Sequence, residues 1–495
     1  MPSCRLDQEN TLMRSILVGH SYFLRLDPKQ LERAKPYPPL ATLQVAAALR
    51  ESGHAVALFD AMLAPDLSDY ERQLASFRPE VVILYEDNFN FLTKMCLAAM
   101  REACCTMIAA ARRSGARVIV AGSDATDAPE PYLRAGAEVM LIGEGLATLE
   151  ALVHRLDEDI RIDATRLTER LSGLAFLDTD GSVRRIAPAH GPIAATYSEL
   201  PAWDLIDVER YRAVWLPAHG HFSLNVHASR GCPFRCNWCA KPIWGNQYAQ
   251  RTPEAVAAEF AYLKRSYRPD HIWFADDIFG FRPSWVTRFA QALQQHDARV
   301  PFTIQIRADI TSEAMAQALR DAGCAEAWIG AESGSQRILD AMNKGTTVAE
   351  ILTARERLKA QGIRVGFFIQ LGYLGEQLPD ILATRELLAA ARPDDVGVSV
   401  AYPLPGTQFY EQVKEELADK THWQDSGDLA MMFRGTYNSD FYRAIRNLLH
   451  EQVSVAQVDV ARHRAEYHRA QRRLARRWAE LQRRESHYRI AQAVL

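Results

Sequence analysis

Two series of short apolar runs, each alternating with stretches of helical spacing, constrain the fold of this chain most strongly. The first series contains five apolar runs, at Ile16–Val18, Val56–Phe59, Val81–Leu84, Val118–Gly122 and Val139–Gly143. Runs of this kind are typical of buried strands, and strands that alternate with helices form parallel, doubly wound sheets. We therefore predict an α/β, Rossmann-like domain over residues 1–160, with a helix at Phe91–Ser114.

The carboxyl ends of these strands carry the residues of interest, because ligands of doubly wound sheets bind beyond those ends. The fourth run is followed by Gly122-Ser123-Asp124 and the fifth by Gly143-Glu144-Gly145. The alternation then stops, and a hairpin is predicted where Leu174–Leu177 and Val183–Ile186 flank a turn sequence. Three prolines follow in this part of the chain, so residues 161–215 are predicted to be a linker that contains the hairpin.

The second series occupies residues 216–410. Its predicted strands are Ser223–Ala228, His271–Phe274, Phe302–Ile306, Glu326–Ile329, Val365–Leu371 and Val396–Ala401. Six strand–helix units predict an open, partial (β/α)6 TIM-like barrel, whose active site lies at the carboxyl ends of the strands. Residues 411–495 are predicted to form a helical C-terminal region.

Charge and hydropathy narrow the range of partners. The formal net charge is -3, which argues against a polyanionic partner, and no apolar run reaches the roughly 18 residues that a transmembrane helix needs. Met1–Arg14 lacks the apolar core of a signal peptide, so we predict a cytoplasmic protein with no transmembrane segment. His463–Arg484 is rich in arginine. A nucleic-acid or anionic-lipid contact is one interpretation, and we favour the other, an amphipathic helix packed on the barrel with no nucleic-acid partner.

Three of the eight cysteines lie within eight residues, in Ser229-Arg-Gly-Cys232-Pro-Phe-Arg-Cys236-Asn-Trp-Cys239. Three thiolates from one loop can hold three irons of a [4Fe–4S] cubane, and an open fourth iron is typical of catalytic metal sites. Structural zinc would need a fourth Cys or His nearby, and His227 lies in a predicted strand. A ferredoxin site would need a fourth cysteine, which this stretch lacks. The other five cysteines are interpreted as small buried hydrophobes.

The cysteine spacing, with an aromatic residue before the third cysteine, resembles the signature of the radical S-adenosylmethionine (SAM) superfamily. Later motifs in the second series resemble the same enzymes in order and spacing. The resemblance implies that Cys232, Cys236 and Cys239 hold the cluster that cleaves SAM to a 5′-deoxyadenosyl radical. It also implies that SAM is contacted by Trp238, Asp276, Asp277, Glu332, Ser333 and Gly372. Trp238 would lie along the adenine.

The first domain resembles the cobalamin-binding domain of one radical SAM subclass, which contains cobalamin-dependent methylases and anaerobic magnesium-protoporphyrin ester cyclases. The resemblance implies cobalamin contacts for Tyr37, Pro38, Gly122, Ser123, Thr126, Gly143 and Glu144. The Asp-x-His-x-x-Gly motif that supplies a cobalt ligand is absent, and Asp124 stands where related enzymes often have His. No lower cobalt ligand is therefore assigned, and a degenerate domain without a corrinoid is the alternative. The cysteine arrangement of methylthiotransferases has no counterpart here.

The resemblance as a whole implies a cobalamin-dependent radical SAM enzyme that methylates an unactivated carbon of a small-molecule substrate. It would take electrons from an external donor such as flavodoxin or ferredoxin. Two alternatives are a cyclisation or rearrangement without methyl transfer and a metal-binding scaffold or sensor without turnover. Candidates for a residue that relays or quenches a radical are Tyr373, Tyr402 and Cys324.

Overall fold

The computed structural model describes residues 13–90, 92, 97–154, 171–189, 193–196, 198, 200–239, 246–418 and 422–490. It divides into two compact units. One contains Met1–Gly220 and Gln424–Ser426, and the other contains His221–Trp423 and Gly427–Leu495. The division into four segments, with limits at 160, 215 and 410, stays a prediction.

The first unit is built on a seven-stranded sheet, sheet A, with the strand order β2-β1-β3-β4-β5-β6-β7. Its strands are β1 Ser15–Gly19, β2 Ala55–Phe59, β3 Val81–Tyr85, β4 Arg117–Ala121, β5 Val139–Leu141, β6 Leu174–Leu177 and β7 Val183–Ile186. Its helices are α1 Pro28–Arg33, α2 Leu40–Glu51, α3 Leu67–Phe77, α4 Ala98–Arg113, α5 Ser123–Asp127, α6 Glu130–Ala135, α7 Leu146–His154 and α8 Val208–His219.

The first five strands of sheet A are parallel, as their continuous apolar runs predict. The predicted hairpin is present as β6 and β7, but it is not confined to a linker: β6 pairs antiparallel with β5 and so extends sheet A. The helix predicted at Phe91–Ser114 is α4, which begins at Ala98. Residues 91 and 93–96 lie outside the described chain.

The second unit contains a six-stranded parallel sheet, sheet B, with the order β15-β14-β13-β12-β11-β8. Its strands are β8 Ser223–Val226, β11 His271–Phe274, β12 Phe302–Ile306, β13 Cys324–Glu332, β14 Arg364–Leu371 and β15 Asp395–Val400. Its helices up to the last strand are α9 Pro253–Tyr267, α10 Pro283–Gln295, α11 Glu313–Ala322, α12 Gln336–Ala341, α13 Val348–Ala360 and α14 Leu378–Ala391. The predicted α/β architecture, a doubly wound sheet followed by a partial barrel, is confirmed.

A separate two-stranded ladder was not predicted from the sequence. It consists of β9 Ser229–Gly231 and β10 Tyr248–Gln250, which pair antiparallel. Neither segment has an apolar run, and each is only three residues long. This ladder closes both ends of the segment that carries the three clustered cysteines.

The C-terminal region is helical, with α15 Gln408–Val413, α16 Ser439–Ala456, α17 Val460–Arg483 and α18 Glu485–Tyr488. The arginine-rich α17 buries Leu474, Trp478 and Leu481. Arg473 and Arg477 on this helix both pair with Glu451 of α16. The structure thus favours a packed amphipathic helix. Among the described helices, none combines the length and apolar character needed to cross a bilayer.

Candidate functional site

The loop that carries Cys232, Cys236 and Cys239, here the cysteine loop, begins directly after β8, at the carboxyl edge of sheet B. Ser229 and Asp276 fix its first turn. The carboxylate of Asp276 accepts a hydrogen bond from the Ala228 N–H at 2.9 Å and another from the Ser229 hydroxyl. The Ser229 hydroxyl also lies 3.1 Å from the Ile278 carbonyl oxygen. The end of β8 and the residues after β11 are therefore held together where the loop starts.

Asp276 is buried, and burial raises its pKa to about 7, against the hydrogen bonds from Ser229 and Ala228. The Asp276 carboxylate thus has a structural role, because it accepts hydrogen bonds from the start of the loop. Its contact with SAM stays a prediction. Asp277 follows and is only partly buried.

Asn237, which lies between the second and third cysteines, docks the loop on the turn after α12. Its backbone N–H donates to the Met342 carbonyl oxygen at 3.0 Å, and its side-chain amide donates to the Ala341 carbonyl oxygen at 2.7 Å. The Tyr373 hydroxyl donates to the Oδ1 atom of Asn237 at 2.8 Å. Sequence reasoning missed this residue, because a single Asn inside a cysteine motif carries no pattern of its own.

Arg307, directly after β12, is a second residue that sequence reasoning missed. Its guanidinium group donates to the Sγ atom of Cys236 at 3.5 Å and lies 3.7 Å from the ring centroid of Phe234. Asp309 pairs with the same guanidinium at 2.9 Å. The only sequence signal was a charged residue at the carboxyl end of an apolar strand, where barrel enzymes place functional groups.

Glu332 ends β13 beyond a bulge that interrupts the β13–β14 pairing between Gly330 and Glu332. Its backbone has a φ of +59°, a conformation that costs free energy for a residue other than glycine. The bulge directs the carboxylate to the Nζ atom of Lys344 at 2.8 Å, and both side chains are buried. Burial opposes the charge on Lys344, but Glu332 and then Cys236 outweigh it and raise the pKa of the lysine.

The remaining predicted SAM residues lie at the same edge of sheet B. The Ser333 hydroxyl contacts the Thr384 hydroxyl at 3.3 Å and accepts a hydrogen bond from the Ser335 N–H. Gly372 has a φ of +74°, which favours glycine, and its N–H donates to Glu376 at 2.6 Å. Whether Ser333 and Gly372 contact SAM stays a prediction.

The donor set of the cysteine loop fits an iron–sulfur cluster. Cys232 is buried, and Cys236 and Cys239 are partly buried. Among the described residues, no three His, Cys, Asp or Glu side chains converge in a way that would hold a single metal ion. In a cubane each thiolate binds a different iron, so convergence is not required. Within the same described set, the buried indole N–H of Trp238 has no acceptor, which leaves a donor for a ligand beside the cysteines.

In the first unit, the predicted cobalamin residues after β4 and β5 are brought together. The Gly143 N–H donates to the Thr126 hydroxyl at 3.0 Å, and the Tyr85 hydroxyl donates to the Glu144 carbonyl oxygen at 2.7 Å. Ser123 is buried. A Cβ atom at Gly122 would lie 2.9 Å from the side chain of Glu86, so these loops pack closely at the carboxyl edge of sheet A.

Asn88 is a further candidate at this edge. It follows β3 and is 1% exposed, yet within the described residues neither its side-chain nitrogen nor its side-chain oxygen has a hydrogen-bond partner. A buried amide without partners is costly, and a ligand that carries amide groups would satisfy it. The corrin ring of cobalamin carries such amides, so this position fits the predicted cofactor.

The other predicted cobalamin residues are placed differently. Tyr37 packs against Trp215 of α8, with ring centroids 5.2 Å apart, and Pro38 is buried just before α2. Asp124 is held by Arg101 at 2.5 Å and by the Tyr132 hydroxyl at 2.6 Å. These partners occupy the Asp124 carboxylate, and no cobalt ligand is assigned at this position.

The three candidates for radical relay occupy different positions. The hydroxyl of Tyr373 bonds to Asn237 in the cysteine loop, and Tyr402 follows β15 with its ring against Trp423. Cys324 begins β13, at the amino end of the strand, and is buried. The fold therefore places Cys324 at the edge of sheet B opposite to the cysteine loop. Cys4 and Cys96 lie outside the described residues.

Two family profiles match the chain. The profile of the radical SAM superfamily matches residues 226–388, which include the last residue of β8, the cysteine loop and all of β11, β12, β13 and β14. The profile of the B12 binding domain matches residues 31–153, which include four of the five parallel strands of sheet A. The radical SAM domain implies a [4Fe–4S] cluster and SAM, and the B12 binding domain implies cobalamin.

The curated relatives of this chain include methyltransferases and cyclases. An uncharacterized methyltransferase of Pyrococcus horikoshii is 28% identical over 383 residues, which cover 76% of this chain and 78% of that protein. The anaerobic magnesium-protoporphyrin IX monomethyl ester cyclase of Rubrivivax gelatinosus is 24% identical over 395 residues, which cover 79% of this chain and 68% of that protein.

Solved structures share the fold. The radical SAM methyltransferase TsrM from Kitasatospora setae, solved with cobalamin and a [4Fe–4S] cluster bound, superimposes with a TM-score of 0.66 at 18% identity, over 82% of this chain and 75% of that one. The cobalamin-dependent radical enzyme OxsB gives a TM-score of 0.63 at 18% identity, over 76% of this chain, which spans about half of the length of OxsB (52%).

Proposed function

This chain belongs to the radical SAM superfamily and carries a B12-binding domain, and from that premise we propose that it is a cobalamin-dependent methyltransferase. The substrate class is a small molecule with an unactivated carbon. The observation that carries the proposal is the loop with Cys232, Cys236 and Cys239, which stands at the carboxyl edge of a six-stranded parallel half-barrel. The methyltransferase of Pyrococcus horikoshii supports methylation as the reaction.

Cys232, Cys236 and Cys239 would hold three irons of the cluster. When bound, the cluster and SAM supply a 5′-deoxyadenosyl radical, and cobalamin supplies a carrier for the methyl group. The protein positions the cysteines: the β9–β10 ladder closes the loop, and Asn237 fixes the loop against the turn after α12. Because the loop is tied at both its stem and its middle, it would present the three thiolates to the cluster with little rearrangement.

SAM would lie along the same edge of sheet B. Trp238 offers its indole N–H, and Glu332 and Gly372 stand at the ends of neighbouring strands. In the first unit, Asn88 and the two loops that contain Gly122 and Gly143 would bind the amide groups and edge of cobalamin. An external donor such as flavodoxin or ferredoxin would supply the electrons. We propose a cytoplasmic location.

Anaerobic reconstitution tests the cluster assignment. The wild-type chain supplied with iron and sulfide is expected to bind about four irons and to release 5′-deoxyadenosine when it receives SAM and a reductant. Cys232→Ala, Cys236→Ala and Cys239→Ala should each abolish both results, whereas Cys324→Ala, at the opposite end of β13, should retain them. Full iron content in the three loop variants, or loss of the cluster only in Cys324→Ala, would refute the assignment.

Methyl-labelled SAM separates methylation from the alternative of a cyclisation or rearrangement without methyl transfer, which the similarity to a cyclase of Rubrivivax gelatinosus keeps open. Label in the product supports the methyltransferase. A product without label, formed while SAM is still cleaved to 5′-deoxyadenosine, favours cyclisation or rearrangement. A chain that holds the cluster but never cleaves SAM would instead be a scaffold or sensor.

A further inference from the structure

We infer that Arg307 is a positioning residue that sets the reduction potential of the cluster through Cys236. The inference rests on the proposed function, because it takes Cys236 as a ligand of the cluster. Arg307 belongs to no cysteine or SAM motif that the sequence suggested, and it reaches the loop from the end of a different strand, β12.

The contact is directional. The NH1 atom of Arg307 lies 3.5 Å from the Sγ atom of Cys236, within the hydrogen-bond range for sulfur. On its face, the guanidinium group lies 3.7 Å from the ring centroid of Phe234, two residues before Cys236. The Arg307 side chain therefore contacts the cysteine loop at two points, the Sγ atom of Cys236 and the ring of Phe234.

The remaining edges of the guanidinium group are fixed by partners outside the loop. Its Nε atom donates to Asp309 at 2.9 Å, and its NH2 atom donates to Asp309 at 3.0 Å and to the Lys344 carbonyl oxygen at 2.6 Å. Arg307 is 6% exposed, so water does not compete for these bonds. The planar fork of arginine satisfies all these directions at once, which the single ammonium group of a lysine does not.

The chemistry of such a contact is known in outline. Reduction adds one negative charge to a cluster, and hydrogen bonds to its sulfurs, net charge and exposure set its potential. A buried cation that donates to a thiolate favours the reduced form, and a nearby carboxylate opposes it. Arg307 and Asp309 thus act on Cys236 with opposite signs, with the cation placed between the carboxylate and the sulfur.

Redox titration monitored by electron paramagnetic resonance tests the inference on the reconstituted full chain, with dithionite as the electron source and no substrate. Arg307→Gln should bind about four irons and show a lower midpoint potential than the wild type. At a fixed solution potential, the ratio of reduced to oxidised cluster should fall about tenfold, which corresponds to about 59 mV for one electron. Asp309→Asn should move the midpoint in the opposite direction.

Two further variants keep the test decisive. Arg307→Lys, which retains the charge but not the fork, should give a midpoint between those of the wild type and Arg307→Gln. Arg364→Gln is the matched control, because Arg364 begins β14 at the other edge of sheet B and is exposed, and its midpoint should equal that of the wild type.

Unchanged midpoints in Arg307→Gln and Asp309→Asn, with iron fully bound, would overturn the inference. If Arg307→Gln does not retain iron, Asp309→Asn alone decides: an upward shift supports the inference, and no shift refutes it. Failure of the wild-type chain to bind a cluster would refute the proposed function instead, so the two failures are distinguishable.

Discussion

The hydroxyl group of Tyr373 donates to the side-chain oxygen of Asn237 at 2.8 Å, and this bond joins the turn after β14 to the middle of the cysteine loop. The ring of Tyr373 stacks on Phe409 with centroids 4.8 Å apart, and the Phe409 N–H donates to the Asn237 carbonyl oxygen at 3.0 Å. Asn237 is thus bonded through both its backbone and its side chain. Tyr373, a candidate for radical relay, has a positioning role in this geometry.

Replacing Asn237 by Ala should loosen the loop without removing any thiolate. The change deletes the two side-chain bonds of Asn237, to Tyr373 and Ala341, while the Tyr373 hydroxyl keeps its bond to the Ala341 carbonyl oxygen at 3.0 Å. The loss of two bonds costs about 1–3 kcal/mol of unfolding free energy. Tyr373→Phe deletes the bonds of the hydroxyl to Asn237 and Ala341 but leaves the bond between the Asn237 amide and Ala341, so it should loosen the loop less. Urea unfolding measures the stability, and iron per chain after reconstitution should fall more for Asn237→Ala. Equal iron retention in the wild type and both variants would contradict a docking role.

Most of the fold could be predicted because buried parallel strands are continuous apolar runs, and thirteen of the strands follow from such runs or, for the hairpin, from its turn. The β9–β10 ladder could not, since Ser229–Gly231 and Tyr248–Gln250 have no apolar pattern. The cysteines of the site were evident from their spacing. Their supports were not, because Asn237 and Tyr373 are 136 residues apart in sequence and meet only in the folded chain.

Glu376 should make the stability of this protein depend on pH. Its carboxylate is buried and accepts from the Gly372 N–H, and burial raises its pKa from 4.5 to about 8. Between these values the folded chain binds one more proton than the unfolded chain, so this group lowers the unfolding free energy as pH rises, by about 1.4 kcal/mol per unit. Above about pH 8 its contribution is constant.

Glu376→Gln cannot titrate, so its unfolding free energy should lose this slope when urea midpoints are measured from pH 5 to pH 8. Glu386→Gln on α14 is the control, because this carboxylate is 72% exposed, and it should keep the wild-type slope. A wild-type slope in Glu376→Gln would show that the group stays ionised throughout this range.

Gly366→Ala should destabilise the barrel, because the added Cβ atom would lie 2.5 Å from the ring of Trp328 on the adjacent strand. Trp328 cannot retreat freely, since it stacks on Phe368 at 4.8 Å. Overpacking of this kind costs about 1–3 kcal/mol. Gly397→Ala is the comparison, with its nearest contact at 3.1 Å, and should lose less in urea unfolding. Equal losses would mean that backbone freedom, rather than the space beside Trp328, decides the effect.

The contributions of Glu332 and Lys344 to the free energy of unfolding should be coupled. Both side chains are buried and 2.8 Å apart, so removing one partner leaves an uncompensated charge, which costs about 3–5 kcal/mol. Lys344→Met and Glu332→Gln should each lose stability on this scale in urea unfolding, whereas Lys359→Met, on the exposed side of α13, should be close to neutral. The double variant should lose clearly less than the sum of the two single losses, because no unpaired charge remains. Additive losses would show that each residue is stabilised by other groups. The ion pair with Lys344 would then not account for the bulge at Glu332.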